Sequence, residues 1–163
     1  MNMDRFNSFM PFILKWETTF AKGHYGDYAY AVTETDKNDP GNWRDGKLVG
    51  TKFGIDAASH KGVDIAKLTL ANATEIYWQE WTACKAESFE AGLGECFFDT
   101  AVNCGLGRAH KIMDDPAHPH GTAGFLDSRA DFYRRLVVHN PKLAGFEEGW
   151  LNRITALRKF VNA

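Results

Sequence analysis

The chain has 163 residues, 44% of them hydrophobic and 25% charged, with a formal net charge of −2 and a pI near 6.3. That length supports one domain with a sizeable core, and the charge balance excludes the basic excess or stripe that a nucleic-acid binder carries. Three cysteines, Cys84, Cys96 and Cys104, fit neither a zinc ribbon nor a disulfide scaffold and read as buried, reduced thiols.

In chain order, Phe6, Phe9, Met10, Ile13 and Leu14 recur at helical spacing, and Glu17 is the next position on the same face. Pro11 sits most easily in the first turn, so the spacing predicts a helix starting near Ser8, with a separate turn over residues 3–7. A glutamate at the inner end of an apolar stripe is disfavoured in its charged form, which suits it to donate a proton near neutral pH. The run from Phe9 to Leu14 is too short to cross a bilayer, and neither a signal peptide nor a cleavage site is visible. The protein is therefore expected to be made in the cytoplasm, without stable membrane insertion, and to reach any outside substrate through a holin or secretion machinery.

From Ala21 to Gly54 turn residues replace periodicity, as in a functional loop or short hairpin, with strands expected at residues 28–32 and 47–49. The stretch from Asp36 has a superficial calcium-loop pattern that fails, because Pro40 takes the fifth place and Lys47 the twelfth, where a bidentate glutamate is required. Thr69 then caps a helix with Leu70, Ala73, Tyr77 and Trp81 on one face, and Glu95 to Met113 reads as another helix. Within it Asp99 and Asn103 stand four apart, positioned to satisfy each other and nearby backbone. Asp114, Asp115, His118 and His120 lie among Pro116, Pro119 and Gly121 and read as a surface loop, so no metal and no cofactor is expected. Stripes at Phe125, Arg129, Phe132, Tyr133 and Leu136, and at Trp150, Ile154, Leu157 and Val161, close the chain with helices. No repeat and no phosphate-binding glycine loop appears.

Five pieces then fall in a familiar order: Glu17-Thr18-Thr19-Phe20, Asp39-Pro40-Gly41-Asn42, Thr51-Lys52-Phe53-Gly54-Ile55, Phe98-Asp99-Thr100-Ala101-Val102-Asn103-Cys104-Gly105, and Gly149-Trp150-Leu151-Asn152-Arg153. Together they resemble the glycoside hydrolase family 108 N-acetylmuramidases, whose helix ends Glu-Gly-Gly-Tyr before an Asp-Pro-Gly-Gly-x-Thr segment and a Gly-Ile pair. The resemblance implies a mainly α, single-domain, lysozyme-like helical fold over residues 1–163, with a long irregular loop or short β-hairpin after the first helix. It implies a lysozyme-type, bacteriolytic peptidoglycan hydrolase such as an endolysin, cleaving the β-1,4 bond between N-acetylmuramic acid and N-acetylglucosamine. Glu17 would be the general acid, with Asp39 and Thr51 in electrostatic and water-positioning roles.

Tyr25, Trp43 and Tyr133 are candidate saccharide platforms and Asn103 a further candidate glycan contact. The partner would be a peptidoglycan glycan strand, met by a monomer. The chain departs from the family pattern in two places. Thr18 and Thr19 replace two glycines, and about nine residues are inserted between Gly41 and Thr51, which makes Asp36 and Asp45 rivals of Asp39. The altered corner after Glu17 motivates an alternative: a catalytically inactive lysozyme-like protein that binds glycan or serves secretion. Hydrolysis of chitin-like polymers by the same groups is a third possibility.

Overall fold

A computed structural model describes residues 3–162. It is mainly helical, with only two-residue strands, as the resemblance implies. By its internal contacts the chain divides into two compact units, residues 3–79 and 80–162.

The first unit opens with α1 (Asp4–Glu17), longer than the sequence predicts. Phe6, the first residue of the apolar stripe, is fully buried and helical, and Asp4 places a negative charge in the first turn, where the helix dipole favours it. Pro11 thus lies inside the helix rather than in its first turn. It is tolerated because Pro11 and Asn7, whose carbonyl would otherwise accept a bond from residue 11, both face solvent. Thr18 ends the helix in an extended conformation, φ −104° and ψ 124°, so this corner does not need the backbone freedom of glycine.

Residues 28–32 do not form a strand. Tyr28–Tyr30 is a 3-10 turn whose start is capped by the Asp27 carboxylate accepting from the Ala29 N–H. Two hairpins follow. In the first, β1 (Trp43–Arg44) pairs with β2 (Lys47–Leu48) around Asp45-Gly46; in the second, β3 (Thr51–Lys52) pairs with β4 (Ile55–Asp56) around Phe53-Gly54. Both two-residue turns have positive φ throughout, 51° and 72° in the first and 54° and 76° in the second, which is the twist that joins antiparallel strands tightly. Phe53, Ile55, Ile65, Leu68, Ala73 and Tyr77 are buried with the inner face of α1 in this unit's core.

Helix α2 (Leu70–Ala83) runs through the division between the units. Thr69 caps it, its Oγ1 accepting from the Asn72 N–H at 3.2 Å. In the second unit the stretch 95–113 is two helices, α3 (Leu93–Cys104) and α4 (Leu106–Met113), because Gly105 takes φ 86° and ψ 148°, which ends one helix and begins the next. Then come α5 (Thr122–His139) and α6 (Ala144–Val161). The core here contains Trp81, Phe97, Phe98, Leu126 and Leu157, with Trp81 and Phe98 edge to face at 5.2 Å. The cysteines are unpaired, and burial, with Glu80 adding to it, pushes the Cys84 thiol up to about 11.

Asp99 is fully buried and is satisfied by partners other than the ones its spacing suggests. Arg129 Nη1 donates to it at 2.6 Å, and Arg153 donates through Nη2 at 2.7 Å and Nε at 3.0 Å. Burial alone would push the Asp99 carboxyl up, but the two guanidiniums outweigh it and hold the group below the usual carboxylate range. Asn103 accepts from the Tyr133 hydroxyl, which in turn accepts from Arg129. The Phe98–Gly105 and Gly149–Arg153 motifs thus meet in one buried network with Arg129 and Tyr133 of α5.

Candidate active site

Glu17 is the last residue of α1, the helix whose buried face builds much of the first unit's core. It is half-buried, and its Oε1 is shut from solvent. The turn of the second hairpin lies directly against it. A Cβ placed on Gly54 would sit 2.5 Å from the Tyr77 hydroxyl, 2.7 Å from Glu17 Cβ and 2.9 Å from Glu17 Oε2. The Tyr77 hydroxyl donates to the Phe53 carbonyl at 2.8 Å, so α2 holds this turn against the acid. Only glycine fits at position 54, both for its φ of 76° and for the space.

Glu17 opens onto a cleft of about 470 Å³, lined also by Trp16, Thr19, Glu34, Asp39, Gly41, Thr51, Gly54, Asp56 and Ser59. With Glu17, four of the lining residues are acidic and, among the described residues lining it, none is lysine or arginine. The arrangement follows from the strands. Thr51 pairs across the second hairpin with Asp56, and on its other side its backbone exchanges hydrogen bonds with Glu34 at 2.8 and 2.9 Å. Residues directly opposite one another project from the same face of a ladder. Glu34, Thr51 and Asp56 therefore form one rung, with a hydroxyl between two carboxylates.

The other wall comes from the Asp39-Pro40-Gly41 segment. Asp39 Oδ1 accepts from the Gly41 N–H at 2.8 Å, capping the 3-10 turn Pro40–Asn42. A Cβ on Gly41 would meet Asp39 Oδ1 at 3.2 Å and Asp56 Cβ at 3.5 Å, which sets both Asp39 and Asp56 against that glycine. Asp56 Oδ1 accepts from the Ser59 N–H at 2.8 Å. Thr19, one of the two residues standing in place of glycines, donates from Oγ1 to Glu34 Oε1 at 2.8 Å.

The structure thus brings Glu17, Asp39 and Thr51 to one cleft. Asp36 and Asp45 do not line it: Asp36 Oδ1 accepts from the Asn38 N–H and side-chain amide, and Asp45 turns the first hairpin at φ 51°. Trp43 lies in β1 with its indole N–H on the Lys37 carbonyl at 3.0 Å, and Tyr25 is 74% exposed beside Phe20, each outside the cleft lining. Asn103 and Tyr133 belong to the second unit, where the Tyr133 ring is buried and stacked on Trp150 at 4.8 Å.

Sequence reasoning missed Trp16, Glu34 and Asp56. Asp56 had a signal: a two-residue turn at Phe53-Gly54 puts it opposite Thr51. Glu34 had none, because its partner in the bridge is seventeen positions away in a stretch without alternation.

A cleft lined by a partly desolvated carboxyl together with further carboxylates and a hydroxyl can protonate a leaving oxygen, stabilise a developing cation and hold a water. These are the needs of glycoside hydrolysis. The glycosyl hydrolase 108 family model matches residues 10–105, more than half of the chain, running from α1 through both hairpins to the end of α3. The chain belongs to that family and is a glycosidase. Comparisons with curated proteins and with solved structures gave no match.

Proposed function

We propose that the protein is an N-acetylmuramidase that cleaves the β-1,4 bond between N-acetylmuramic acid and N-acetylglucosamine in peptidoglycan, with Glu17 as the general acid. The observation that carries this reading is that Glu17, Asp39 and Thr51, from three separate motifs, line the same cleft. Glu17 Oε1 is shut from solvent while the residue lines the cleft, so the carboxyl that would donate the proton sits at the edge of bulk water. Glu17 gives its proton to the glycosidic oxygen as the bond to the anomeric carbon breaks. Water adds to that carbon and gives a proton to Asp39, which is held by the Gly41 N–H and otherwise faces the cleft. The acidic surroundings favour the oxocarbenium-like transition state. Trp16 supplies the aromatic plane at the cleft on which a sugar ring can stack. The substrate lies outside the cytoplasm, so release through a holin or secretion machinery is part of this proposal.

The test is reducing-end release from purified peptidoglycan. Glu17→Gln is expected to lower kcat by about 10²-fold or more, the usual weight of a general acid, and Asp39→Asn and Thr51→Val to lower it as well. Wall binding by the wild type without new reducing ends would favour the non-catalytic alternative. Release from chitin but not from peptidoglycan would move the substrate to that polymer.

A further inference from the structure

Asn42 is 1% exposed and stands where the family pattern has its second glycine. Its side-chain amide bridges two groups: Nδ2 to the Asp36 carbonyl at 3.0 Å, and Oδ1 to the Thr51 hydroxyl at 2.7 Å. The orientation of that amide is determined by chemistry. A backbone carbonyl can only accept, so the amide atom facing Asp36 must be the nitrogen donor, and the oxygen must face Thr51. An amide oxygen can only accept, so Thr51 must donate its single hydroxyl proton to it. Only lone pairs of Thr51 Oγ1 are then left for the cleft it lines.

The backbone fixes Asn42 as firmly as the side chain does. Its carbonyl accepts from the Val49 N–H at 2.8 Å and the Gly50 N–H at 3.0 Å, so Asn42 forms the root of the first hairpin. That hairpin lies within the stretch inserted between Gly41 and Thr51. The insertion thus returns the chain to Asn42 immediately before Thr51.

From this geometry we propose that Asn42 is a positioning residue that makes Thr51 an obligate hydrogen-bond acceptor toward the cleft. This inference rests on the muramidase reading and adds to it how the water is aimed. A water bound there directs one O–H to Thr51 Oγ1 and the other to the carboxylate that takes its proton, Asp39. Its free lone pair is left for the anomeric carbon. Without Asn42 the Thr51 hydroxyl rotates and also presents its proton to the cleft, where it competes for that lone pair.

The experiment is a kinetic cycle on purified peptidoglycan with Asn42→Ala, Thr51→Val and the double variant, each checked for cooperative thermal unfolding. The expected result is a fall in kcat of about 10- to 100-fold for Asn42→Ala, the scale of lost positioning, with KM changed less than about twofold. The double variant is expected to be no slower than Thr51→Val alone, because Asn42 acts only through that hydroxyl. A kcat for Asn42→Ala within about twofold of wild type, or a loss that multiplies with that of Thr51→Val, would overturn the proposal.

Should Asn42→Ala fail to fold, Asn42→Asp carries the test. Protonated, its side chain reproduces the amide pattern, with O–H on the Asp36 carbonyl and C=O on Thr51; ionised, it does not. Its kcat relative to wild type should approach one as pH is lowered and the side chain is protonated, and a ratio that stays low however far the pH is lowered would contradict the proposal. Full activity of Glu17→Gln would instead overturn the underlying muramidase reading, so the two failures are distinct.

Discussion

At the scale of single residues the cleft depends on close approach as much as on chemistry. Gly54 is held between the Tyr77 hydroxyl and Glu17, and any side chain there would meet both at under 3 Å. Gly54→Ala combines a left-handed backbone with overpacking, about 1–2 and 1–3 kcal/mol respectively. It is expected to lower the thermal midpoint and to cut kcat by pushing Glu17 out of place, whereas Glu17→Gln should leave stability nearly unchanged. Thermal unfolding and reducing-end assays on both variants separate the two effects. Glu17 was legible from sequence because an acid ending an apolar stripe is unusual, whereas Asp39 and Thr51 were legible only through the family resemblance, with Asp36 and Asp45 as rivals of Asp39. Glu34 was hidden, since it enters through one bridge to a distant residue that no local period encodes.

At the scale of elements, the segment between α1 and α2 is ordered by tight turns and caps rather than by long strands. Asp45-Gly46 has the residue types such a turn demands, which is why the strand at residues 47–49 was readable. The stretch 28–32 looked like a strand from its aromatics, but the Asp27 cap drew it into a 3-10 turn. Replacing both Asp45 and Gly46 by alanine newly forces a side chain to positive φ at position 46, costing about 1–2 kcal/mol, and removes at position 45 a residue type that tolerates that region. Because this hairpin is rooted on Asn42, the variant is expected to lose stability and also to lower kcat on peptidoglycan, with KM little changed. Helix starts were less legible for a related reason. Pro11 suggested a late start to α1, and burial of Phe6 with a solvent-facing proline overrode it. Gly105 divided what periodicity alone joined into α3 and α4.

At the scale of the whole molecule, stability draws on a buried ion cluster as well as on apolar packing. Asp99 is surrounded by Arg129 and Arg153 with none of the three more than 5% exposed. Removing its charge in Asp99→Asn strands two buried cations and is expected to cost about 3–5 kcal/mol, read by urea or thermal unfolding. The pH dependence has a definite sign. The folded-state pKa of Asp99 lies below its unfolded value, so its contribution is fully present above the unfolded value and lost as pH falls through the folded one. Acid unfolding should therefore set in below the ordinary carboxylate range, and Asp99→Asn, already weakened, should lack that acid-dependent part. The cluster was only half legible in sequence: Asp99 stood out as a buried acid, but its partners lie 30 and 54 positions away on α5 and α6.

The central claim, that the acid at the end of α1 drives cleavage on the reducing side of N-acetylmuramic acid, is tested most directly by mass spectrometry of peptidoglycan fragments. The wild type should release fragments ending in reducing N-acetylmuramic acid, and Glu17→Gln, with an unchanged thermal midpoint, should release them about 10²-fold more slowly or not at all. Fragments ending in reducing N-acetylglucosamine, or equal release by the two proteins, would contradict it.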